Sequence, residues 1–297
     1  MVIQSMSGVA SLTGDPEGPP QTVGMSLSDT TGGLHAFGAI CASLYRRSKT
    51  GTGEHIDISL LDCVFSQNEW ASQHLILSKG QIIPTRYGNR RPILIPGNLF
   101  KGRDGWVAIV ASTDPGWANL CSAMGMPRLS NDPRFSNRSS RIEHRDELEG
   151  IVEEWVGSFE SIHEVESLLA DRGGVQCGRV QTWKEMLESD HVLTRHLITE
   201  VEDPTLGPTP VLNTPFTFSG GSPYVRGPAP LLGEHTLEIL QQLLGYENEK
   251  ILDLINTNVL HADDDVMVNL VQILLKRCPK KALEPLRFTE VLQVTGI

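Results

Sequence analysis

One segment in the first quarter of the chain constrains the fold more than any other. Residues 28–62 read SDTTGGLHAFGAICASLYRRSKTGTGEHIDISLLD, in which apolar side chains recur at helical spacing before Gly-Thr-Gly turns the chain. We predict a long helix that is apolar on nearly all sides and therefore buried, with glycines that admit another backbone at close range. EHIDIS alternates polar and apolar residues as a strand does, and SLLDCVFSQNEWASQHLIL has a helical pattern. Helix, turn, strand and helix in succession are typical of a layered α/β domain.

The polar residues near helix and strand ends have structural explanations. Asp29 is placed to cap the N-terminus of the long helix, and capping also explains Asp57 and Asp62, which flank the predicted strand and the start of the next helix. His35 lies within the long helix, where a histidine is more often a hydrogen-bonded core residue than a catalytic base. Glu234 in LLGEH marks a helix start. None of these residues predicts a catalytic centre by itself.

The chain divides by composition into five segments. Proline and glycine cluster in QIIPTRYGNRRPILIPGN, a pattern typical of a linker or a large functional loop. The next segment combines a hairpin, with its turn at Asp104-Gly105, with amphipathic helices and short strands, which is an α+β pattern. An acidic triplet, an apolar run and KRCPKK end the chain and favour a solvated or partly helical tail. The predicted segments are 1–80 (α/β), 81–98 (linker and loop), 99–219 (small α+β domain), 220–260 (a Pro-rich crossing followed by helices) and 261–297 (atypical tail).

Charge, cysteine usage and absent motifs exclude several classes of function. A net charge of −11 disfavours binding to nucleic acid or to an anionic membrane, and no apolar run is long enough for a membrane span. The five cysteines are scattered without a CxxC pair, so we interpret them as reduced thiols of a cytoplasmic protein and predict no metal site. The sequence also lacks GxGxxG, GxxxxGK[ST], GxSxG and HExxH, which removes direct support for dinucleotide enzymes, P-loop nucleotidases, serine hydrolases and zincins.

Four strings in a fixed order carry a family resemblance. They are QSMSG at the start, the long segment RRSKTGTGEHIDISLLD, YGN before the small domain and PLLGEHT near the end. Together they resemble the class III coenzyme A transferases, the family that includes formyl-CoA and carnitine CoA-transferases and α-methylacyl-CoA racemases. The resemblance covers roughly residues 1–260, so the tail falls outside it.

The resemblance implies a fold and a reaction. The fold has a Rossmann-like large domain, here incomplete and built from residues 1–80 and 220–260, and a small α+β domain between them, and two chains interlock as a homodimer. The family moves CoA from an acyl-CoA to a free carboxylic acid through a covalent aspartyl intermediate. Coenzyme A is then a substrate, the acid is the second partner, and no resident cofactor is expected. Such chemistry requires a positioned carboxylate nucleophile and backbone donors for the oxyanions.

The family's nucleophile is expected to lie outside this sequence. Aligning QSMSG with the family string QAMSG places the catalytic aspartate immediately before Met1, so no catalytic residue is assigned here. We therefore expect an N-terminally truncated transferase that is inactive alone, with a mitochondrial or peroxisomal location as an alternative if the protein is eukaryotic and truncated. An α-methylacyl-CoA racemase relative and a non-catalytic assembly subunit remain open as alternatives.

Five residues are carried over as candidate substrate-binding positions. Gly88 and Asn89 match the YGN that precedes the family's active-site glycine loop, but here Arg90 and Arg91 follow instead of further glycines. That departure indicates an acid other than oxalate or formate. Either arginine is a candidate partner for a substrate carboxylate, and a solvent-facing pair explains them equally well. Leu34 matches a pocket-lining apolar position, which core packing also explains.

Overall fold

The computed structural model describes residues 1–172, 175–221, 223–231, 233–257 and 259–260. It forms two compact units, Met1–Thr182 and Trp183–Ile297. This division falls within the predicted 99–219 segment, and the domain boundaries stay a prediction. The predicted tail, 261–297, lies outside the described residues.

The first unit begins with helices and continues with an antiparallel sheet covered by further helices. Its sheet has the order β1-β2-β3, with Gly97 opposite Val110 in the first pair and Val107 opposite Arg179 in the second. The elements are α1 (Val2–Met6), α2 (Val9–Leu12), α3 (Leu27–Thr50), α4 (Leu60–Ser66), α5 (Glu69–Leu77), β1 (Gly97–Lys101), β2 (Trp106–Val110), α6 (Asp114–Ala123), α7 (Arg138–Glu143), α8 (Arg145–Gly157), α9 (Ile162–Arg172) and β3 (Gln176–Arg179).

The core of the first unit lies between this sheet and the helices that follow it. Alternate residues of β2 point inward, because side chains of a strand alternate between its two faces. One apolar face of each amphipathic helix covers them, and the contact excludes water from large side chains. The fully buried members include Phe100, Val107, Ile109, Trp117, Leu120, Phe135, Leu148, Val152 and Leu169.

Local capping fixes where several of these helices begin. Thr113 accepts a hydrogen bond from the Gly116 N–H at the start of α6, at 3.1 Å. Asp104, in the predicted hairpin turn, also accepts bonds from the Ile162 N–H and the Ser161 hydroxyl, each at 2.9 Å. These bonds, first that of the Ile162 amide, lower the pKa of Asp104. The predicted hairpin and the amphipathic helices α6, α8 and α9 are confirmed. The segment SLLDCVFSQNEWASQHLIL forms two helices, α4 and α5, instead of one, because Asn68 has a non-helical backbone conformation. The turn of the hairpin holds the start of α9.

The long helix is present, but the prediction that it is buried is wrong. Leu34 is 62% exposed and Phe37 is 55% exposed, and the helix packs mainly against α4 and α1. Its 24 residues extend for about 36 Å, whereas α4 has only seven residues, so α4 can cover only part of the helix. At Gly32 an added Cβ would lie 2.3 Å from the Leu60 side chain, and nothing lies within 4 Å of one at Gly33 or Gly38. Within the described residues these glycines therefore admit a side chain at close range, and the predicted close backbone is not found.

Two further local predictions need correction. EHIDIS does not form a strand, because both sheets of the described chain are built from other residues and an unpaired segment has no ladder of hydrogen bonds. Asp29 does not cap α3, since the helix begins two residues earlier at Leu27, which places Asp29 in the first turn. At α4 the cap is Ser59, whose side chain accepts from the Asp62 N–H.

The second unit contains a two-stranded hairpin and short helices. Ile198 pairs with Leu212 at one end of the hairpin and Asp203 pairs with Gly207 at the other. Glu234 accepts a hydrogen bond from the Leu231 N–H at 2.7 Å just before a helix, which confirms the predicted helix start. The elements are α10 (Trp183–Leu187), α11 (Asp190–Thr194), β4 (Ile198–Asp203), β5 (Gly207–Leu212), α12 (Thr236–Glu238) and α13 (Asn248–Asn256).

Among the described residues, no helix is both long enough and apolar enough to cross a membrane. Within the same ranges, His, Cys, Asp and Glu side chains do not gather in groups of three or more that could hold a metal ion.

Candidate active-site loop

Arg86 anchors the loop that contains the candidate site residues. Its Nε donates to the Asp15 carbonyl at 3.0 Å, and its Nη2 donates to the Gly18 carbonyl at 2.8 Å. Nη1 lies 3.5 Å from the Ser11 carbonyl. A guanidinium offers its donors in a rigid fork, so one side chain can hold several carbonyls that lie far away along the chain. The loop that begins at Arg86 is thereby fastened to the segment that follows α2.

Gly88 makes the second attachment of this loop. Its N–H donates to the Gly14 carbonyl at 3.1 Å, and its φ of 59° lies in the left-handed region. An added Cβ would meet Pro16 Cδ at 3.5 Å, which is an ordinary contact. The need for glycine at this position is therefore conformational and not steric.

We expect Gly88→Ala to weaken the docked loop by about 1–2 kcal/mol, the cost of a left-handed conformation for a residue with a Cβ. Amide hydrogen exchange of the peptide that covers residues 86–91 measures this, and the exchange should become roughly tenfold faster. Gly53→Ala is the matched control, because Gly53 has no positive φ and open space around it. Equal exchange in the two variants would contradict the conclusion that Gly88 is needed for its left-handed backbone conformation.

Gln4, within QSMSG, is a structural residue that the sequence analysis did not single out. It is 3% exposed, its Nε2 donates to the Met25 carbonyl at 3.1 Å, and its Oε1 accepts from the Val23 N–H at 2.8 Å. Both ends of the amide are satisfied, so Gln4 holds the approach to α3 against α1. Its place within a family string was the available signal.

The two arginines that follow the loop have different environments. Arg90 is half-buried, with Nε 2.7 Å from Glu149 Oε2 and Nη1 2.9 Å from Asp146 Oδ1. Arg91 is exposed, and within the described part of the chain its guanidinium has no ion pair or hydrogen bond. The Arg91 carbonyl accepts from Arg145 Nη2 at 2.5 Å. The first arginine is therefore committed to helix α8, whereas the second presents its charge to solvent.

Glu149 is a buried carboxylate beside these arginines, and sequence reasoning missed it. It is 4% exposed, and Oε2 also lies 3.3 Å from Asn98 Nδ2. Burial raises the pKa of Glu149, while the charges of Arg90 and Arg145 oppose that rise. Burial likewise lowers the pKa of Arg145, and Glu149 opposes it. A signal was available, because Glu149 lies three residues before Val152 on the apolar face of an amphipathic helix.

The structure brings four of the predicted site residues together and leaves one apart. Gly88, Asn89, Arg90 and Arg91 form one continuous loop, on which Gly88, Asn89 and Arg91 are exposed. Leu34 lies on α3, exposed to solvent rather than packed in a core. The loop offers cationic and backbone groups to an anion, and it supplies no carboxylate nucleophile of its own.

The chain therefore combines α/β elements with an anchored loop that presents an exposed cationic side chain. The family model described as CoA-transferase family III matches residues 1–236. The chain belongs to this family, which confirms the resemblance found in its sequence strings. The fold agrees, because a solved CaiB/BaiF family protein from Brucella suis is similar with a TM-score of 0.66 and 29% identity over 81% of this chain and 61% of that one.

Curated relatives carry CoA-transferase names. A succinyl-CoA–D-citramalate CoA-transferase of Chloroflexus aurantiacus is 32% identical, over 84% of this chain and 61% of the relative. A human succinyl-CoA:glutarate CoA-transferase is 30% identical, over 87% of this chain and 58% of the relative. The chain thus spans about three fifths of the length of the curated relatives it matches.

Proposed function

We propose that the protein takes part in the transfer of CoA from an acyl-CoA to a free dicarboxylic acid. The observation that carries this proposal is the family match across residues 1–236, which includes both QSMSG and the anchored loop 86–91. Two curated relatives are named for succinyl-CoA with citramalate or with glutarate, and each of these acids has two carboxyl groups. The interlocked homodimer and the cytoplasmic location belong to the same proposal.

The proposed reaction proceeds through an enzyme aspartate. Its carboxylate attacks the thioester carbonyl, the C–S bond breaks and CoA departs as the thiolate. The acyl group is then joined to the aspartate as a mixed anhydride. The thiolate then attacks the aspartyl carbonyl, which releases the first acid and leaves an enzyme CoA-thioester. The acceptor carboxylate attacks this aspartyl thioester, which releases CoA thiolate and forms a second mixed anhydride. The thiolate then attacks the acceptor's acyl carbon, which releases the acceptor as its CoA-thioester and regenerates the aspartate. On this proposal the aspartate is the residue that the family string QAMSG would put directly before Met1, and the residues of this chain supply binding and orientation.

Arg91 is proposed as the partner of the acceptor's second carboxylate. Arg90 is already paired with Glu149 and Asp146, whereas the Arg91 charge is exposed on the same loop. A guanidinium can bind a carboxylate through two parallel hydrogen bonds, which favours dicarboxylic over monocarboxylic acceptors.

We expect the 297-residue chain alone to form no glutaryl-CoA from succinyl-CoA and ¹³C-labelled glutarate, because the proposed aspartyl nucleophile is not among its residues. A chain extended upstream in frame through the aspartate codon should form labelled glutaryl-CoA, detected by mass spectrometry. In that extended chain Arg91→Gln should raise the KM for glutarate roughly tenfold, as expected for one charge-assisted pair. It should leave the KM for a monocarboxylic acid unchanged.

The control is the extended chain with that aspartate replaced by asparagine, which should be inactive. Turnover by the 297-residue chain alone would overturn the aspartyl route. Epimerisation of a 2-methylacyl-CoA without CoA transfer would instead support the racemase alternative. Inactivity of the extended chain in both assays would support the assembly-subunit alternative.

A further inference from the structure

Helix α8 and the candidate loop are joined through one buried carboxylate. Glu149 lies on α8 and is 4% exposed, while Arg90 reaches it from the loop with Nε at 2.7 Å from Oε2. Arg145, one helical turn earlier, places Nε at 3.7 Å from Oε1 and donates from Nη2 to the Arg91 carbonyl. Both a side chain and a main-chain carbonyl of the loop are therefore held by the same pair of helix residues.

Burial of Glu149 favours the position of the loop in which Arg90 contacts this carboxylate. Moving a carboxylate out of water costs several kcal/mol, and only well-placed partners offset that cost. Of the cations near Glu149, Arg90 is the closer, and Arg145 Nε and Glu149 Oε1 make no hydrogen bond within the described chain. Withdrawal of Arg90 would leave the Glu149 charge incompletely paired, so the carboxylate favours the arrangement in which the loop lies against α8.

We propose that Glu149 is a positioning residue that holds loop 86–91 against α8 through Arg90, and thereby sets the place from which Arg91 meets the acceptor acid. The part that concerns the acceptor rests on the proposed function, whereas the attachment of the loop does not. Arg90 on this view is a structural cation and not a substrate ligand. Arg145 supports the same position of the loop, because it donates a hydrogen bond to the main-chain carbonyl of Arg91.

The experiment is amide hydrogen exchange on the 297-residue chain without substrate, so that its result is independent of any transferase activity. Glu149→Gln keeps the shape of the side chain and removes the charge. We expect the peptide covering residues 86–91 to exchange about tenfold faster, the effect of losing one charge-assisted hydrogen bond. The peptide covering Trp106–Val110 in the core strand should be unchanged.

A double-mutant cycle separates positioning from general stability. Arg90→Gln should accelerate exchange of the loop as much as Glu149→Gln, and the double variant should add little, because both remove one interaction. Glu149→Asp keeps the carboxylate and should restore part of the protection. Glu153→Gln is the matched control, since Glu153 is an exposed glutamate on the same helix.

Each outcome decides the question. Faster exchange confined to the loop, with a non-additive double variant, supports the proposal. Unchanged loop exchange in Glu149→Gln overturns it, as do additive effects of the two single variants. If loop and core exchange rise together in both Glu149→Gln and Glu149→Asp, the residue has only a general structural role and the proposal is wrong.

Discussion

We expect Arg141→Ala to lower the free energy of unfolding of the first unit by roughly 3–5 kcal/mol, because three main-chain carbonyls lose their shared donor. Arg141 is 0% exposed, so its replacement by a methyl group leaves a cavity as well as unpaired acceptors. A urea titration followed by tryptophan fluorescence measures the change, and the midpoint should move to lower urea.

The reason lies in the number of segments that this guanidinium joins. It donates to the carbonyls of Ile95 at 3.2 Å, Phe135 at 3.1 Å and Ser112 at 3.1 Å, and to Asp114 Oδ1 at 2.7 Å. These four acceptors belong to different segments: Ile95 lies just before β1, Ser112 just after β2, Asp114 at the start of α6 and Phe135 just before α7. Each carbonyl left without a donor costs about 1–3 kcal/mol if it stays buried.

Arg138→Ala is the matched control, because Arg138 begins the same helix but is exposed and, among the described residues, donates to the Ile93 carbonyl alone, at 2.8 Å. We expect it to change the free energy of unfolding by less than about 0.5 kcal/mol. Arg141→Lys should be intermediate, since one ammonium cannot serve acceptors arranged for a planar fork. Equal stability of the two alanine variants would contradict this account.

Trp117→Ala is the second large effect, with an expected loss of about 3–5 kcal/mol in the free energy of unfolding. Trp117 is 1% exposed at the centre of the core, and its ring meets that of Phe135 edge to face at a centroid distance of 6.1 Å. Truncation to alanine removes these contacts and leaves a cavity that the surrounding helices and sheet can only partly close. The same urea titration, followed by circular dichroism, measures the loss.

Trp117→Phe should cost less than half as much. The indole Nε1 is buried without a hydrogen-bond partner in the part of the chain that the structure describes. Phenylalanine keeps most of the ring volume and removes this unsatisfied donor, whose burial costs about 1–3 kcal/mol. A loss as large as that of the alanine variant would show that the indole N–H has a partner or that the shape of the ring alone decides.

Local features of the first unit were predictable because they depend on residues close together in sequence. Asp104-Gly105 between apolar runs predicted the hairpin, and the helices of α6, α8 and α9 followed from their amphipathic spacing. The family strings also placed Gly88 to Arg91 in one candidate loop. A turn or an amphipathic helix is encoded within a few neighbouring residues, so its signal survives without knowledge of the fold.

Other features could not be read in this way because they depend on distant partners. The strand predicted for EHIDIS needed neighbouring strands, and burial of α3 needed a surface to cover it. The buried states of Glu149 and Arg141 also have no sequence signal of comparable strength, since charged residues on a helix are usually solvated. Their environments are set by the loops that fold against them.

The sequence by itself determined the family, the loop that carries the candidate site and most of the local elements, because strings of neighbouring residues encode each of them. Only the tertiary structure decided which arginine is free and which is bound. Arg90 and Arg91 are adjacent and chemically identical, but the buried Glu149 carboxylate needs one cation, and the geometry of the loop delivers Arg90 to it. A desolvated charge must have a partner close in space, and that requirement distinguishes two residues that the sequence leaves equivalent.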